Sequence, residues 1–186
     1  MVKKTAFPLA VLVLALIAAP AAADNDFALS GAYWNTEDAE EAMGVTGKVR
    51  FNILELRATY FSDVTADTTP ERNDFEVKTI PLEAGLAFQF AEDAPVNPYV
   101  GGGAGYYLLD SDAGDVDDEV GYYGVVGANF GRMENIGFNV EAIYRNMEAT
   151  VRTPPEQLDD EEPEIDENVD LQLGGIGVNF GVVWRF

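Results

Sequence analysis

Over the last eleven residues of the chain, large apolar side chains occupy every second position: Ile176, Val178, Phe180, Val182, Trp184 and Phe186. Their neighbours Gly177, Asn179, Gly181, Val183 and Arg185 are small or polar, Val183 apart. Successive side chains of a β-strand point to opposite faces, so this segment predicts a strand with one broad apolar face. The same alternation recurs upstream and predicts strands at about 26–34, 44–51, 55–61, 75–90, 99–109, 121–132 and 137–151. Val45, Val49 and Phe51 oppose Thr46, Lys48 and Arg50; Leu56, Ala58 and Tyr60 oppose Glu55, Arg57 and Thr59. Ile80, Leu82, Ala84, Leu86, Phe88 and Phe90 oppose Thr79, Glu83 and Gln89. Phe138, Val140, Ala142 and Tyr144 oppose Asn139, Glu141 and Arg145. The segments at 99–109 and 121–132 are rich in Gly, which weakens strands but allows close packing and bending in a tightly curved sheet.

The linkers alternate too. Short ones lie near 52–54, 91–98 and 133–136, longer ones at 35–43, 62–74, 110–120 and 152–168. Barrels that span the outer membrane have short turns on the periplasmic side and longer loops outside. Eight strands put both termini on the short-turn side, and all the long linkers then fall at the other end. The polar face carries charges of both signs, Lys48, Arg50, Arg57 and Arg145 against Glu55, Glu83 and Glu141. An unpaired charge facing hydrocarbon costs about 2–4 kcal/mol near the midplane, whereas charges inside a narrow barrel can pair. The polar face is therefore expected inside and the apolar face toward lipid. The fold class is all-β: an eight-stranded antiparallel transmembrane β-barrel, an up-and-down meander. A soluble barrel with an apolar lumen needs the reverse arrangement. Eight strands enclose only enough room for side chains to fill, so the seven residues are expected to form a lumen charge network that plugs the barrel. The competing reading is a narrow pore whose Arg and Glu residues rearrange. Aromatic residues near strand ends, Phe27, Tyr33, Trp34, Tyr60, Phe90, Tyr106, Tyr122, Phe130, Trp184 and Phe186, are candidates for interface girdles.

At the other end of the chain, Lys3 and Lys4 precede an uncharged apolar run that Pro20 breaks, followed by Ala21-Ala22-Ala23. That is the order of a secretory signal, with cleavage expected after Ala23. Residues 1–23 would be the signal peptide and 24–186 the barrel domain, delivered to the cell outer membrane by Sec-type export. The full chain has 11 basic and 33 acidic residues. Without Lys3 and Lys4 the count is 9 against 33, a formal charge of −24. Such a surface repels nucleic acid. Much of the acid falls in the long linkers: Glu37, Asp38, Glu40 and Glu41; Asp110, Asp112, Asp115, Asp117, Asp118 and Glu119; and Glu156, Asp159, Asp160, Glu161, Glu162, Glu164, Asp166 and Glu167. Solvated loops explain these blocks. Carboxylates also suit divalent cations, though Asp110-Ser111-Asp112-Ala113-Gly114 lacks the spacing of a calcium loop.

The chain has no His and no Cys, so neither Ser–His nor Cys–His nucleophile activation can be built. No thiol is present for a lipid anchor, a disulfide or a thiolate metal site. No phosphate loop or dinucleotide fingerprint occurs. Gly101-Gly102-Gly103-Ala104-Gly105 lies inside a strand pattern with no helix after it. No catalytic residue, cofactor or metal is expected.

Two segments carry a resemblance. Asn179, Gly181, Trp184 and Phe186 resemble the C-terminal β-signal of outer-membrane barrels: a polar residue, a Gly two later, and aromatics at the third-last and last positions. Pro98 to Gly105, Pro-Tyr-Val-Gly-Gly-Gly-Ala-Gly, looks like a strand of the small barrels of the OmpA, OmpX and OmpW types. The resemblance implies a barrel-assembly signal read by the barrel assembly machinery. It also implies a monomer in contact with outer-membrane lipids and lipopolysaccharide, serving a structural or surface-interaction role in the envelope. The OmpW likeness allows the alternative of a small porin-like transport protein for ions or a small hydrophobic solute.

Overall fold

A computed structural model describes residues 25–36, 41–66, 75–91, 94–111, 115–116, 118–131, 135–152, 168–172 and 174–186. The expected export segment and most of the acidic loop residues lie outside them. The elements are β1 Asn25–Thr36, β2 Ala42–Phe51, β3 Leu54–Ala66, β4 Phe75–Gln89, β5 Val96–Ser111, β6 Asp115–Val116, β7 Glu119–Phe130, β8 Ile136–Asn146, β9 Glu148–Arg152, β10 Asn168–Gln172 and β11 Gly175–Arg185. Eight of them close into one antiparallel barrel in the order β1-β2-β3-β4-β5-β7-β8-β11, and β11 returns to β1. Each barrel strand pairs with its nearest barrel neighbour in sequence, so the meander expected from the alternation is the observed topology. Closure leaves no free edge.

One end of the barrel, the turn end, holds the tight turns and the seam where the Phe186 amide donates to the Asn25 carbonyl at 3.1 Å. Asn52 turns the chain from β2 into β3 with φ at 56°, a conformation that Asn tolerates better than most residues. Gly131, at φ 78°, ends β7 two residues before the expected limit of 132, because the backbone there has left the extended region.

The opposite end, the loop end, differs more from expectation. β1, β3 and β5 run beyond the predicted strands, to Thr36, Ala66 and Ser111. The strand expected at 137–151 breaks at Met147 into β8 and β9. β9 leaves the barrel and joins β10 and β6 in a separate three-stranded sheet, which occupies part of the linkers expected at 110–120 and 152–168. The ladder between β3 and β4 omits the position opposite Pro81, which has no N–H to donate, and shifts register between Phe61 and Val64.

Along the outer face every described position between the rims is apolar or Gly. Phe88, Phe90, Phe130, Phe138, Trp184 and Phe186 stand toward the turn end, and Tyr33, Tyr60, Tyr106, Tyr122 and Tyr144 toward the loop end. Phe27 stacks on Trp184 at 5.7 Å and Phe138 on Phe180 at 6.3 Å. Val49 has outward parity yet no exposed surface, seated between its register partners Phe27 and Leu56. Trp34 is the exception among the girdle candidates. It shares parity with Asp26, Ala28, Ser30 and Ala32, is fully buried, and points into the lumen.

Candidate functional site: the lumen charge lattice

Inward positions of five strands bring the charged side chains together. β2 supplies Lys48 and Arg50, β3 Glu55 and Arg57, β4 Glu83, and β8 Glu141 and Arg145, each at most 2% exposed. β1 adds Asp26, which the charge pattern of the sequence did not single out. Among the described residues the buried charges are thus four cations and four carboxylates, so the lumen is neutral where the chain as a whole is strongly acidic. β5 and β7 contribute tyrosines and β11 contributes Asn179.

Glu141 is the hub. It accepts from Lys48 Nζ and from the Tyr99 hydroxyl, from Arg57 Nη1 at 2.8 Å and Nη2 at 3.2 Å, and from Asn179 Nδ2 at 3.0 Å. Arg57 also donates to Glu55 at 2.8 Å and lies 3.8 Å from Glu83. Arg145 grips Glu83 with two nitrogens, Nε at 2.8 Å and Nη2 at 3.1 Å, the geometry that suits guanidinium to carboxylate. Arg50 pairs with Asp26 nearer the turn end. Burying a single charge is costly unless it is paired and hydrogen-bonded. The alternation in the strands forces all eight inside, and each finds an opposite charge.

Tyr99 ties the lattice to the wall. Its ring lies 4.8 Å from Lys48 Nζ and 4.9 Å from the Arg50 guanidinium, close enough for cation–π attraction. Its hydroxyl accepts from Lys48 at 2.9 Å and from Asn139 at 2.8 Å. The ring lies over Gly127, its register partner, where a Cβ would come within 2.6 Å of the ring's Cζ. Tyr107 covers Gly105 and Gly121 in the same manner. The inward glycines of β5 and β7 therefore make room for lumen tyrosines, a more specific reason than curvature alone.

The lattice ends below the loop-end mouth. At its upper edge the Arg145 guanidinium lies 5.5 Å from the Trp34 ring and 5.7 Å from Phe61, and those two rings are 5.1 Å apart. Leu109, Met147 and Ala42 are buried on inward positions at this level. The lumen is thus ionic through its middle and apolar at one mouth. Several buried polar atoms have no protein partner, among them Glu55 Oε2, Tyr123 Oη, Thr79 Oγ1 and Arg145 Nη1. Such atoms require water.

The terminal-motif residues divide between the two faces. Asn179 and Gly181 face inward and are buried, while Trp184 and Phe186 face outward and are exposed. A side chain at Gly181 would run into the Leu29 carbonyl and Ser30 of β1, so this Gly is needed for closure of the seam. Among the described residues no group of His, Cys, Asp or Glu is arranged to hold a metal ion. The sequence pattern did not single out Tyr99 or Asp26 as lumen residues, and it set Trp34 among the outward girdle candidates, whereas all three point into the lumen. Each could have been found by extending the period-two parity to the strand ends.

A closed eight-stranded barrel with an uncharged outer band and an ion-paired interior is the class of membrane-spanning barrels. The family model for the outer membrane protein beta-barrel domain matches residues 9–186, and the chain belongs to that family. Its place is accordingly the outer membrane. The fold is similar to the crystal structure of the outer membrane protein OprG from Pseudomonas aeruginosa, with a TM-score of 0.70, 13% identity, and coverage of 89% of this chain and 96% of that one. It is also similar to the solution structure of outer membrane protein W from E. coli, at TM-score 0.59 and 16% identity, covering 89% and 98%. Neisserial surface protein A matches at TM-score 0.51 and 16% identity, covering 87% and 96%. No curated protein sequence matches the chain significantly.

Proposed function

We propose that this protein is a structural and surface-presenting barrel of the outer membrane whose lumen is sealed to ions. The observation that carries the reading is the neutral lattice of eight buried charges, capped at Arg145 by the Trp34 and Phe61 rings. An ion entering the lumen would have to displace paired charges in a low-dielectric space, and no continuous row of one sign lowers that cost. On this reading the chain is exported by the Sec route, cleaved after Ala23, and recognised by the assembly machinery through Asn179, Gly181, Trp184 and Phe186. It is a monomer without enzymatic activity, with its acidic loops outside among lipopolysaccharide.

Planar-bilayer recordings test the seal. Purified barrel is expected to leave the membrane at baseline conductance, and steady open-channel steps in the wild type would refute it. The transport reading draws support from one feature, the apolar mouth formed by Trp34, Phe61, Leu109 and Met147. That mouth suits a small hydrophobic solute better than an ion. Saturable, barrel-dependent uptake of such a solute into vesicles that remain tight to ions would favour it.

A further inference from the structure

The outer wall of the barrel is bulky over most of its surface and thin at one place. Gly102 of β5 and Gly124 of β7 are register partners, both with outward parity. A Cβ built on Gly124 would meet no atom within 4 Å. Beside them Ala142 adds only a methyl. The result is a groove of about 380 Å³ over Gly124, with Val100, Val126, Ala142, Tyr144 and Ile176 along its sides. We propose that this groove is a lipid-binding site that holds one acyl chain of a loop-side-leaflet lipid more firmly than the wall around it holds its neighbours.

Three observations select the occupant. The groove is continuous with the uncharged outer band, and Tyr144 is its one side chain with a polar atom, so it offers no recognition to a charged or polar ligand. Between surfaces already in hydrocarbon there is no hydrophobic drive; association rests on van der Waals fit. A flexible chain can follow a concave floor, which the convex wall of a second barrel cannot. The volume is about a dozen times the roughly 30 Å³ that a water molecule, a body close in size to a methylene, occupies in the liquid. That is the greater part of one acyl chain. Its position is also suitable: Tyr144 and Ile176 are partners one step from the loop-end limit of the β8–β11 ladder, and Val100 and Val126 are partners near mid-barrel. A chain lying between these levels puts its head group at the height of the tyrosine row.

The test is native mass spectrometry of the full-length barrel, reconstituted in palmitoyl-oleoyl phosphatidylethanolamine vesicles and released in mild detergent. Wild type is expected to carry one retained lipid. Gly124→Leu fills the floor and should reduce the adduct about tenfold, the change expected when some 1.4 kcal/mol of binding is lost. Ala84→Leu makes a similar addition on the outer face of β4, away from the groove, and should leave the adduct unchanged. If Gly124→Leu fails to shift on an unboiled gel, Ala142→Leu serves as the filling variant with the same expected loss. Retention by the filled variant at the wild-type level overturns the proposal, as does a wild type that retains no lipid. A wild-type dimer that disappears on filling also overturns it, by assigning the groove to a second copy.

Discussion

Replacing Glu141 with Gln keeps the shape of the hub and removes its charge. Five hydrogen bonds converge on this carboxylate, from Lys48, Arg57 twice, Tyr99 and Asn179. After substitution four buried cations face three carboxylates. Arg57 still has Glu55 at 2.8 Å and Glu83 at 3.8 Å. Lys48 loses the only carboxylate within ion-pair distance among the described residues. An amide also offers donors of its own to a site crowded with donors. Breaking a buried pair by removing one partner costs about 3–5 kcal/mol, because the surviving charge stays buried. Replacing both partners with neutral groups costs much less. Glu141→Gln is therefore expected to lower the free energy of unfolding by about 3–5 kcal/mol, and Lys48→Met combined with Glu141→Gln should recover at least about half of that loss. Equilibrium urea unfolding in lipid vesicles, followed by tryptophan emission and by the unboiled gel shift, measures both. A single-variant loss below about 1 kcal/mol, the range of a solvated surface pair, would refute the idea that the lattice is shielded from bulk water and tightly coupled. So would a double variant no more stable than the single one.

Gly127→Val should drive the Tyr99 ring off the wall and cost about 1–3 kcal/mol by overpacking, and the penalty should shrink in a Tyr99→Ala background; an equal penalty there would deny the contact. Single-tryptophan variants in brominated lipid should show strong quenching of Trp184 and little of Trp34, and the opposite ranking would reverse the inward placement of Trp34. Phe180→Arg, on an exposed outer position, should cost about 2–4 kcal/mol in vesicles if that position lies near the bilayer midplane, and a neutral result would contradict a lipid-facing band there. Deleting Phe186 should leave purified protein able to fold in detergent while abolishing its outer-membrane fractionation and gel shift after expression in cells. Normal fractionation of the deletion would show that the terminal aromatic is not read during assembly.

The barrel was legible because its constraint is local. Period two is written into each strand, and a slip of one residue would put Glu83 or Arg57 into lipid and Leu82 or Leu56 into the charge lattice. The inward charged set, including Lys48, Glu55 and Arg145, could be read from parity alone. What could not be read was which charge pairs with which. Glu141 on β8 meets Lys48 on β2 and Arg57 on β3 across the lumen, contacts fixed by barrel closure and stagger rather than by any spacing in the sequence. The loop end was harder for a second reason. There strands leave the barrel, as β9 does after Met147, and alternation alone does not say which sheet a strand joins.

Trp34 shows where a general rule misleads. An aromatic residue near a strand end reads as an interface anchor, because most such residues in a membrane barrel are. The parity of β1 contradicts that, since Trp34 falls in step with Asp26 and Ser30 and out of step with Phe27 and Tyr33. The two rules disagree, and parity prevails because turning one residue over would turn the whole strand. The consequence reaches function. An outward Trp34 would have left the loop-end mouth to Phe61, Leu109 and Met147, without the indole that lies over Arg145. An inward Trp34 over Arg145 adds a second closure of different chemistry, one that salt screens far less than it screens exposed charge. High ionic strength should therefore not open the barrel, whereas Trp34→Ala combined with Glu141→Gln weakens both closures. Of the two single variants and the double variant, the double should show the largest ion leak in planar bilayers. A leak in the double variant no greater than the sum of the two single leaks would mean that the closures do not act in series.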